Sequence, residues 1–344
     1  MLERAPIWVP AASMRESGDG VDVARSGLTL VPGHGTHSHL GGCEHWALFY
    51  DDIDEYLAAT GEFLRTGDAA GEPLMVAIPG QRIDPLRTAL GETAERVRFL
   101  DMHELGRNPG RIIPKVRHWA ELQRGVPCRF VGEPIWPQQE PAEVIEATRH
   151  EALINMAFAD LDASILCPYD VNGLAPDILA DAERTHPHVI RGAERRPSTR
   201  YTDPLEVWLA SEWSLPEPGQ TMATLTLREN LAPARQITEA CGREAGLSGP
   251  AVLDLVLAVD EAATNAVLHG APPAQLRIWR QRAGIVCEVT DHGELEDPLA
   301  GRRFPAPEWP RGRGLWLINQ VCDLVELRPV PDGTAIRMHM LAGR

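Results

Sequence analysis

The sequence lacks several features that would assign it to a membrane, to nucleic acid or to the cell exterior. It has no apolar run near the roughly 20 residues that cross a bilayer, and no basic segment followed by an apolar one at its start. Its six cysteines form no CxxC pair. With 33 basic against 49 acidic residues, the net charge of -16 excludes unspecific binding of nucleic acid through a basic surface. We therefore predict a reduced, cytoplasmic protein that contacts neither membrane nor nucleic acid directly.

The chain has 344 residues, which is long enough for two domains. The pattern of apolar and polar residues changes several times along it. Residues 1–42 are rich in Gly, Ser and Pro without periodicity, which predicts a mobile tail. Residues 43–188 alternate short apolar runs with helical patterns, which predicts an α/β domain with a mostly parallel sheet. Residues 189–220, with scattered arginines and a proline-rich breaker, are predicted to be a linker. Residues 221–344 predict an α+β sandwich of an antiparallel sheet and three helices.

The elements follow from the same patterns. In the first domain the predicted strands are 46–49, 74–78, 97–100, 128–131 and 164–166, and the predicted helices are 53–65, 85–90, 112–124, 141–158 and 176–185. In the second domain the predicted strands are 222–227, 275–282, 285–290, 324–328 and 335–340, and the predicted helices are 231–245, 250–268 and 315–321.

A carboxylate and a carboxamide share one face of the helix predicted at 250–268. Glu261 and Asn265 are four residues apart, so their side chains lie one turn from each other. The oxygen of Asn265 suits Mg²⁺ beside nucleotide phosphates, and Glu261 can accept a proton from an attacking hydroxyl or water. An isolated pair of this kind is more often a solvated polar face, so the pair matters only together with other motifs.

Two further motifs follow in order. Asp291 ends an apolar strand, where a carboxylate can accept a hydrogen bond from an exocyclic amine such as that of adenine, and Gly293 lets a base approach the backbone. Gly312 and Gly314 precede a helix, where free backbone N–H groups and the helix N-terminus favour phosphate. Arg313, or Arg311 beside it, can add a charge-assisted contact. The three motifs in this order predict a nucleotide site that takes ATP and Mg²⁺.

Residues 221–340 resemble the Bergerat (GHKL) ATP-binding fold, and within it the anti-sigma-factor serine kinases of the RsbW type. The resemblance implies a domain that binds Mg-ATP, sequesters an alternative sigma factor and phosphorylates a serine or threonine of a STAS-type anti-anti-sigma protein. It makes Glu261 the general base, Asn265 the Mg²⁺ ligand and Asp291 the adenine anchor. Such domains usually pair, so a homodimer is also implied.

The first glycine motif departs from the family pattern. It often continues to a second glycine, whereas this chain has Leu295, and the lid between Gly293 and Gly312 is short and rich in proline. The alternative to a kinase is therefore a binding switch that holds its partner under nucleotide control and transfers no phosphoryl group.

The first domain resembles the MEDS sensory domain of the DcmR kind, which is related to RecA/KaiC-like P-loop folds. The matching stretches begin with His45 and Tyr50 and continue with 132–136, 150–155, 167–170 and 185–187. The sequence after the second strand, Ile78–Arg82, lacks the Lys-Ser/Thr of a working P-loop. A MEDS domain joined to an RsbW-like domain resembles the RsbA-type anti-sigma regulatory proteins.

Ligands of open parallel sheets favour the crevice at the carboxyl ends of the strands. Polar residues that follow predicted strands are therefore candidates for a sensory pocket that takes an unknown small molecule. With His45 from the opening of the domain, the set is His45, Tyr50, Gln81, Arg82, Tyr169 and Asp170, and Asp101, His103 and Glu133 are in similar positions. A second group of possible metal ligands, His34, His37, His39, Cys43 and His45, matches no zinc spacing and is interpreted mainly as tail.

Overall fold

The computed structural model describes residues 9–10, 42–210, 215, 219–281, 284–305 and 312–343. Within these residues no helix combines the length and apolarity that a membrane span requires. The first described element is the two-residue strand β1 (Val9–Pro10), which pairs with Gly293–Glu294. The rest of the predicted tail, including His34, His37 and His39, lies outside the described residues.

The first domain is built on a seven-stranded sheet in the order β4-β3-β5-β6-β2-β7-β8. Its strands are β2 (Glu44–Tyr50), β3 (Leu74–Ile78), β4 (Val97–Asp101), β5 (Cys128–Gly132), β6 (Ala163–Asp170), β7 (His188–Arg191) and β8 (Glu194–Pro197). All neighbours pair in parallel except β7 and β8. The prediction of a mostly parallel sheet is confirmed.

Helices cover both faces of this sheet. They are α1 (Ile53–Ala69), α2 (Gly80–Leu90), α3 (Met102–Leu105), α4 (Ile112–Glu121), α5 (Pro141–Ala157) and α6 (Pro176–Thr185), with short 3-10 turns at 91–96 and 109–111. Because both faces are covered, the interior strand β3 is a continuous apolar run whose five residues are all buried. The carboxylate of Asp52 accepts a hydrogen bond from the backbone N–H of Glu55 at 2.9 Å and so caps α1.

The stretch interpreted as a linker contains regular structure. β7 and β8 form an antiparallel hairpin that extends the edge of the sheet, and helix α7 (Pro204–Leu209) follows it. Val207 and Trp208 of α7 are buried, and Val207 packs with Ala152 of α5. The sequence did not predict this hairpin. Edge strands carry exposed charged side chains, so its arginines made the stretch resemble a polar linker. Trp213 and most of the proline-rich breaker lie outside the described residues.

The second domain is an antiparallel sheet covered by helices, as predicted. Its strands are β9 (Thr221–Thr226), β10 (Gln275–Gln281), β11 (Gly284–Asp291), β12 (Gly293–Glu294), β13 (Leu324–Val330) and β14 (Gly333–Leu341), and its helices are α8 (Ala232–Glu244), α9 (Gly249–Leu268) and α10 (Gly314–Val321). The five long strands run in the order β13-β14-β11-β10-β9. Ser248 caps α9, and Asn230 accepts from the backbone N–H of Ala232 at the start of α8.

A buried carboxylate lies where the two domains meet. Glu146 of α5 has no exposed surface, and its oxygens contact the guanidinium groups of Arg149 at 2.8 Å, Arg328 at 3.0 Å and Arg302 at 3.2 Å. Arg328 lies on β13 and Arg302 in the lid between Gly293 and Gly312, so two of the three partners belong to the second domain. Arg149 also donates to the carbonyl of Leu327 at 3.2 Å.

A second contact between the domains holds the carboxyl half of α10. The loop 107–111 supplies Asn108, which is fully buried and donates to the carbonyl of Asn319 at 3.0 Å. Arg111 donates to the same carbonyl at 2.8 Å and to that of Cys322 at 2.6 Å. An ideal Cβ on Gly110 would lie 2.1 Å from the side-chain oxygen of Asn319, so this position needs glycine for the close approach.

We expect Glu146→Ala to lower the free energy of unfolding by about 3–5 kcal/mol, because it leaves three arginines without their shared buried counter-charge. Urea denaturation with far-UV circular dichroism measures the change. The matched control is Glu62→Ala, which removes the exposed ion pair with Arg195 and should leave the unfolding midpoint nearly unchanged. Equal losses in both variants would contradict a special role for the buried cluster.

Candidate functional site

Helix α9 and the start of α10 bring three of the predicted site residues together. A Cβ built on Gly314 would lie 2.5 Å from a carboxylate oxygen of Glu261 and 3.5 Å from the amide nitrogen of Asn265. The side chain of Asn265 is 6 % exposed, and its amide nitrogen has no hydrogen-bond partner among the described residues. An unpaired buried amide is costly, so this group is suited to receive a ligand.

The start of α10 has no side-chain cap at its N-cap residue. The N-cap residue is Arg313, which has no acceptor atom and makes no capping hydrogen bond. Gly312 has a φ of +87°, which favours glycine because a Cβ is strained there. A cavity of about 300 Å³ separates residues 296–305 from the start of α10, and Gly312 and Leu315 line it. Arg311 lies outside the described residues. This geometry fits an anionic group such as a phosphate.

Asp291 lies at the other end of the site, where β11 ends. It is 5 % exposed, and burial raises the pKa of its carboxyl to about 6, opposed by hydrogen bonds from the backbone of Gly293 and Ala271. The Gly293 N–H donates to one carboxylate oxygen at 2.6 Å. Across the ladder Asp291 pairs with Thr334, whose hydroxyl donates to the carbonyl of Gly293 at 2.7 Å. The backbone at Asp291 and Gly293 is therefore held from two sides.

The first domain places four polar side chains at the carboxyl ends of its strands. Arg82 contacts Glu133 at 2.8 Å and Asp170 at 3.8 Å, and it donates to the hydroxyl of Tyr50. Its guanidinium lies over the ring of Tyr56, 4.9 Å from the centroid. Burial raises the pKa of the Glu133 carboxyl to about 8, although Arg82 opposes the change. The group offers charge, hydrogen bonds and aromatic surface in one crevice.

The predicted sensory pocket is divided in the structure. Tyr50, Arg82 and Asp170 come together, and Gln81 lies exposed at the start of α2. His45 and Tyr169 belong instead to a buried group on the face of the sheet that α5 and α6 cover, because their positions in β2 and β6 point that way. The contacts of His45 come from residues far along the chain, and the histidines at 34, 37 and 39 that the sequence places near it lie outside the described residues.

Two family models match the chain. Residues 44–187 match the model described as MEDS, the methanogen/methylotroph, DcmR sensory domain. Residues 224–340 match the histidine kinase-like ATPase domain. The chain joins a MEDS domain to a histidine kinase-like ATPase domain. This is the two-domain arrangement predicted from the sequence, and the second match implies that the ATPase domain binds ATP. A search of curated proteins finds no match.

Sequence reasoning missed some of the residues that complete these sites. Thr334 of the ATPase domain lies just before the strand predicted at 335–340 and is not among the predicted site residues, yet an added Cβ on the preceding Gly333 would lie 2.0 Å from the carbonyl oxygen of Asp291. In the MEDS domain, Glu151, Cys167 and His186 surround His45. Their residue types were visible, but only the folded topology brings positions so far apart in sequence together.

We expect Gly314→Ala to weaken ATP binding at least tenfold, because the new methyl group would collide with Glu261 beside the uncapped start of α10. Isothermal titration calorimetry with ATP measures the affinity. Gly249→Ala is the matched control, since a Cβ there meets no atom within 4 Å at the start of α9. Unchanged affinity in Gly314→Ala would show that the nucleotide does not use this helix start.

The raised pKa of Asp291 gives nucleotide binding a pH dependence. A bound adenine amine would donate to the ionised carboxylate, so binding favours the deprotonated form and its affinity should rise with pH up to about 6 and then level off. Titrations with ADP at pH 5 and pH 7.5 measure the difference. Asp291→Asn cannot titrate, and it should bind weakly at both pH values. An equal pH dependence in the wild type and this variant would contradict the role given to Asp291.

Proposed function

We propose that the chain is a cytoplasmic regulator of an alternative sigma factor. In this proposal the MEDS domain binds a small-molecule signal and controls the ATPase domain. The ATPase domain holds the sigma factor and phosphorylates a serine or threonine of a STAS-type anti-anti-sigma partner. The proposal rests on the joining of a sensory domain to a kinase-like ATP-binding domain and on the contacts between them.

One observation supports control of the nucleotide site by the sensory domain. The amino end of helix α10 lies in the site, where Gly314 packs against Glu261. The carboxyl half of the helix accepts hydrogen bonds from Asn108 and Arg111 of the sensory domain. The helix has only eight residues, so both contacts lie within about 12 Å of helix axis. A shift of the loop 107–111 would therefore move the start of α10.

The described part of the lid, residues 294–305, is a second route between the domains. Phe304 stacks on His118 of α4 with ring centroids 4.2 Å apart, and it makes an edge-to-face contact with Trp316 of α10, with centroids 5.8 Å apart. Arg302 in the same segment contacts Glu146. The sensory domain thus contacts both the lid and α10, the helix whose start faces the proposed phosphate end of the site.

The side chains present suit phosphoryl transfer to a hydroxyl. Bound Mg-ATP would supply the phosphoryl group and the cation that neutralises its charge. Asn265 presents a buried amide to that cation, and turning the amide plane brings its oxygen forward. Glu261, half-buried one turn away, would accept the proton of the attacking hydroxyl. Asp291 would hold the adenine amine.

A binding switch without phosphoryl transfer is the second candidate. Leu295, at the position where a second glycine often stands, is 8 % exposed and belongs to the hydrophobic core. A side chain packed there stiffens the backbone next to Gly293, which favours a domain that binds nucleotide more weakly. In that case the bound nucleotide would change the affinity of the domain for its partner, and no phosphoryl group would be transferred.

We also propose that the MEDS domain is a RecA/KaiC-related fold whose P-loop has degenerated. The parallel order β3-β5-β6-β2 supports the relationship. At the start of α2, a Cβ on Gly80 would lie 2.6 Å from the carboxylate of Asp101, so an acidic group stands beside this helix N-terminus. A carboxylate there disfavours phosphate.

The kinase proposal is tested by incubating the full chain with labelled ATP, Mg²⁺ and candidate STAS proteins. We expect serine or threonine phosphate on one of them, and Glu261→Gln should lower the rate about 100-fold or more because it removes the base and preserves the size of the side chain. The variant should keep its affinity for ADP.

The outcomes separate the two candidates. Phosphate transfer that depends on Glu261 supports the kinase. ATP-dependent capture of a sigma factor or STAS protein with no transfer to any partner leaves the switch. If millimolar ATP and ADP both fail to raise the melting temperature, the nucleotide site itself is contradicted. Sedimentation of the pure protein tests the proposed homodimer.

A further inference from the structure

Four side chains with metal-binding atoms converge inside the MEDS domain. They come from four elements: His45 from β2, Glu151 from α5, Cys167 from β6 and His186 from the end of α6. Each is at most 1 % exposed, and one ligand atom from each lies within 4.8 Å of all the others. The Nε2 atoms of both histidines lie close to one oxygen of Glu151, at 3.1 Å for His45 and 3.2 Å for His186.

The hydrogen bonds on the far side of each imidazole fix its tautomer. Nδ1 of His186 lies 2.8 Å from the carbonyl of Ala182, which can only accept, so this nitrogen carries a proton. Nδ1 of His45 lies 3.1 Å from the side-chain oxygen of Asn155, whose amide nitrogen donates to the carbonyl of Thr185 at 2.8 Å. This nitrogen too must donate. Both neutral rings therefore turn a lone pair on Nε2 towards the centre of the group.

The centre of the group has more acceptors than donors. Two imidazole lone pairs and a carboxylate all accept hydrogen bonds, and the only S–H donor in the group is the thiol of Cys167, which is weak. Nε2 of His186 and the second oxygen of Glu151 have no hydrogen-bond partner among the described residues. Converging acceptors with one weak donor are an arrangement that a cation satisfies.

We propose that His45, Glu151, Cys167 and His186 form a buried site for a divalent transition-metal ion, and that the ion is Zn²⁺. Two nitrogens, one sulfur and one oxygen are ligands that Zn²⁺ accepts in tetrahedral sites. Ligand atoms about 2.0–2.3 Å from such an ion are separated by about 3.3–3.7 Å. The distance between Cys167 Sγ and His45 Nε2 is 3.4 Å, and the pairs at 3.1–3.2 Å need only small movements.

Charge favours the same ion. Zn²⁺ with one thiolate, one carboxylate and two neutral imidazoles has no net charge, which suits a site with almost no solvent contact. On binding, the bond between the sulfur of Cys167 and its proton breaks, a sulfur–zinc bond forms, and the proton leaves to solvent. Four protein ligands close the coordination shell, so the ion would have a structural role.

The site lies on the helix that forms the domain junction. Glu151 follows Glu146 and Arg149 on α5, and Asn155 one turn later orients His45. An ion that ties α5 to β2, β6 and α6 would hold the carboxylate of Glu146 in register with Arg302 and Arg328. The metal would thus support the contact through which the sensory domain touches the ATPase domain.

The test measures metal in the full chain, purified without chelator and freed of any affinity tag. Inductively coupled plasma mass spectrometry should find about one zinc per chain. Cys167→Ser and His186→Gln should each lose most of it. Cobalt(II) in place of zinc should give a thiolate-to-cobalt charge-transfer band in the near ultraviolet, and this band should be absent from Cys167→Ser.

His150→Gln is the matched control, because His150 is a buried histidine next to Glu151 on α5 but is outside the group. It should keep its zinc even if it lowers the melting temperature. If the ligand variants fail to fold, the cobalt spectrum of the wild type decides the question. A wild type that takes up neither zinc nor cobalt, or metal content unchanged in both ligand variants, would overturn the proposal.

Discussion

The carboxylate of Glu146 and its three guanidinium partners set the relation between the two halves of this chain. Removing these charges from water costs several kcal/mol per ion, so the cluster is a weak source of net stability. Its effect is on specificity, because any other relative position of the domains would leave a buried charge unpaired. The attraction between these charges only partly offsets the cost of burying them. Burial lowers the pKa of Arg302 to about 10. Several N–H groups of Arg149, Arg302 and Arg328 also have no acceptor among the described residues.

The same junction explains how a signal could reach the nucleotide site without a long path. Apolar residues of α4 and α5 belong to one continuous core with Leu299, Ala300 and Ile318 of the ATPase domain. A close-packed interior transmits small shifts because it has no room to absorb them. Two elements at this junction, α10 and residues 299–305, are also the ones that border the site. The sensory domain therefore contacts the elements of the ATPase domain that border the site.

The local pattern of apolar and turn residues was enough to predict most helices and strands. Sites formed by residues far apart in the sequence could not be predicted in this way. The strand at 74–78 and the helix at 176–185 have the predicted bounds, since the first is a short continuous apolar run and the second opens with proline at its first position. The ordered motifs around Glu261, Asp291 and Gly314 also pointed to the ATPase domain, because each is short and local. The group around His45 draws on positions up to 141 residues away, which no local pattern joins. The hairpin at 188–197 was missed because its arginines resemble a linker.

The polar sites of the two domains share a physical feature. At the nucleotide site, Asn265 is buried without a partner, Arg313 leaves the helix start uncapped, and Asp291 has a raised pKa. Each of these costs stability in the free protein and is relieved by a ligand of matching chemistry. In the MEDS domain, Nε2 of His186 and one carboxylate oxygen of Glu151 likewise have no hydrogen-bond partner among the described residues. Both sites therefore carry unfavourable free energy in the free protein, which a bound ligand would relieve. Helices α5 and α10 connect both sites to the domain junction at Glu146.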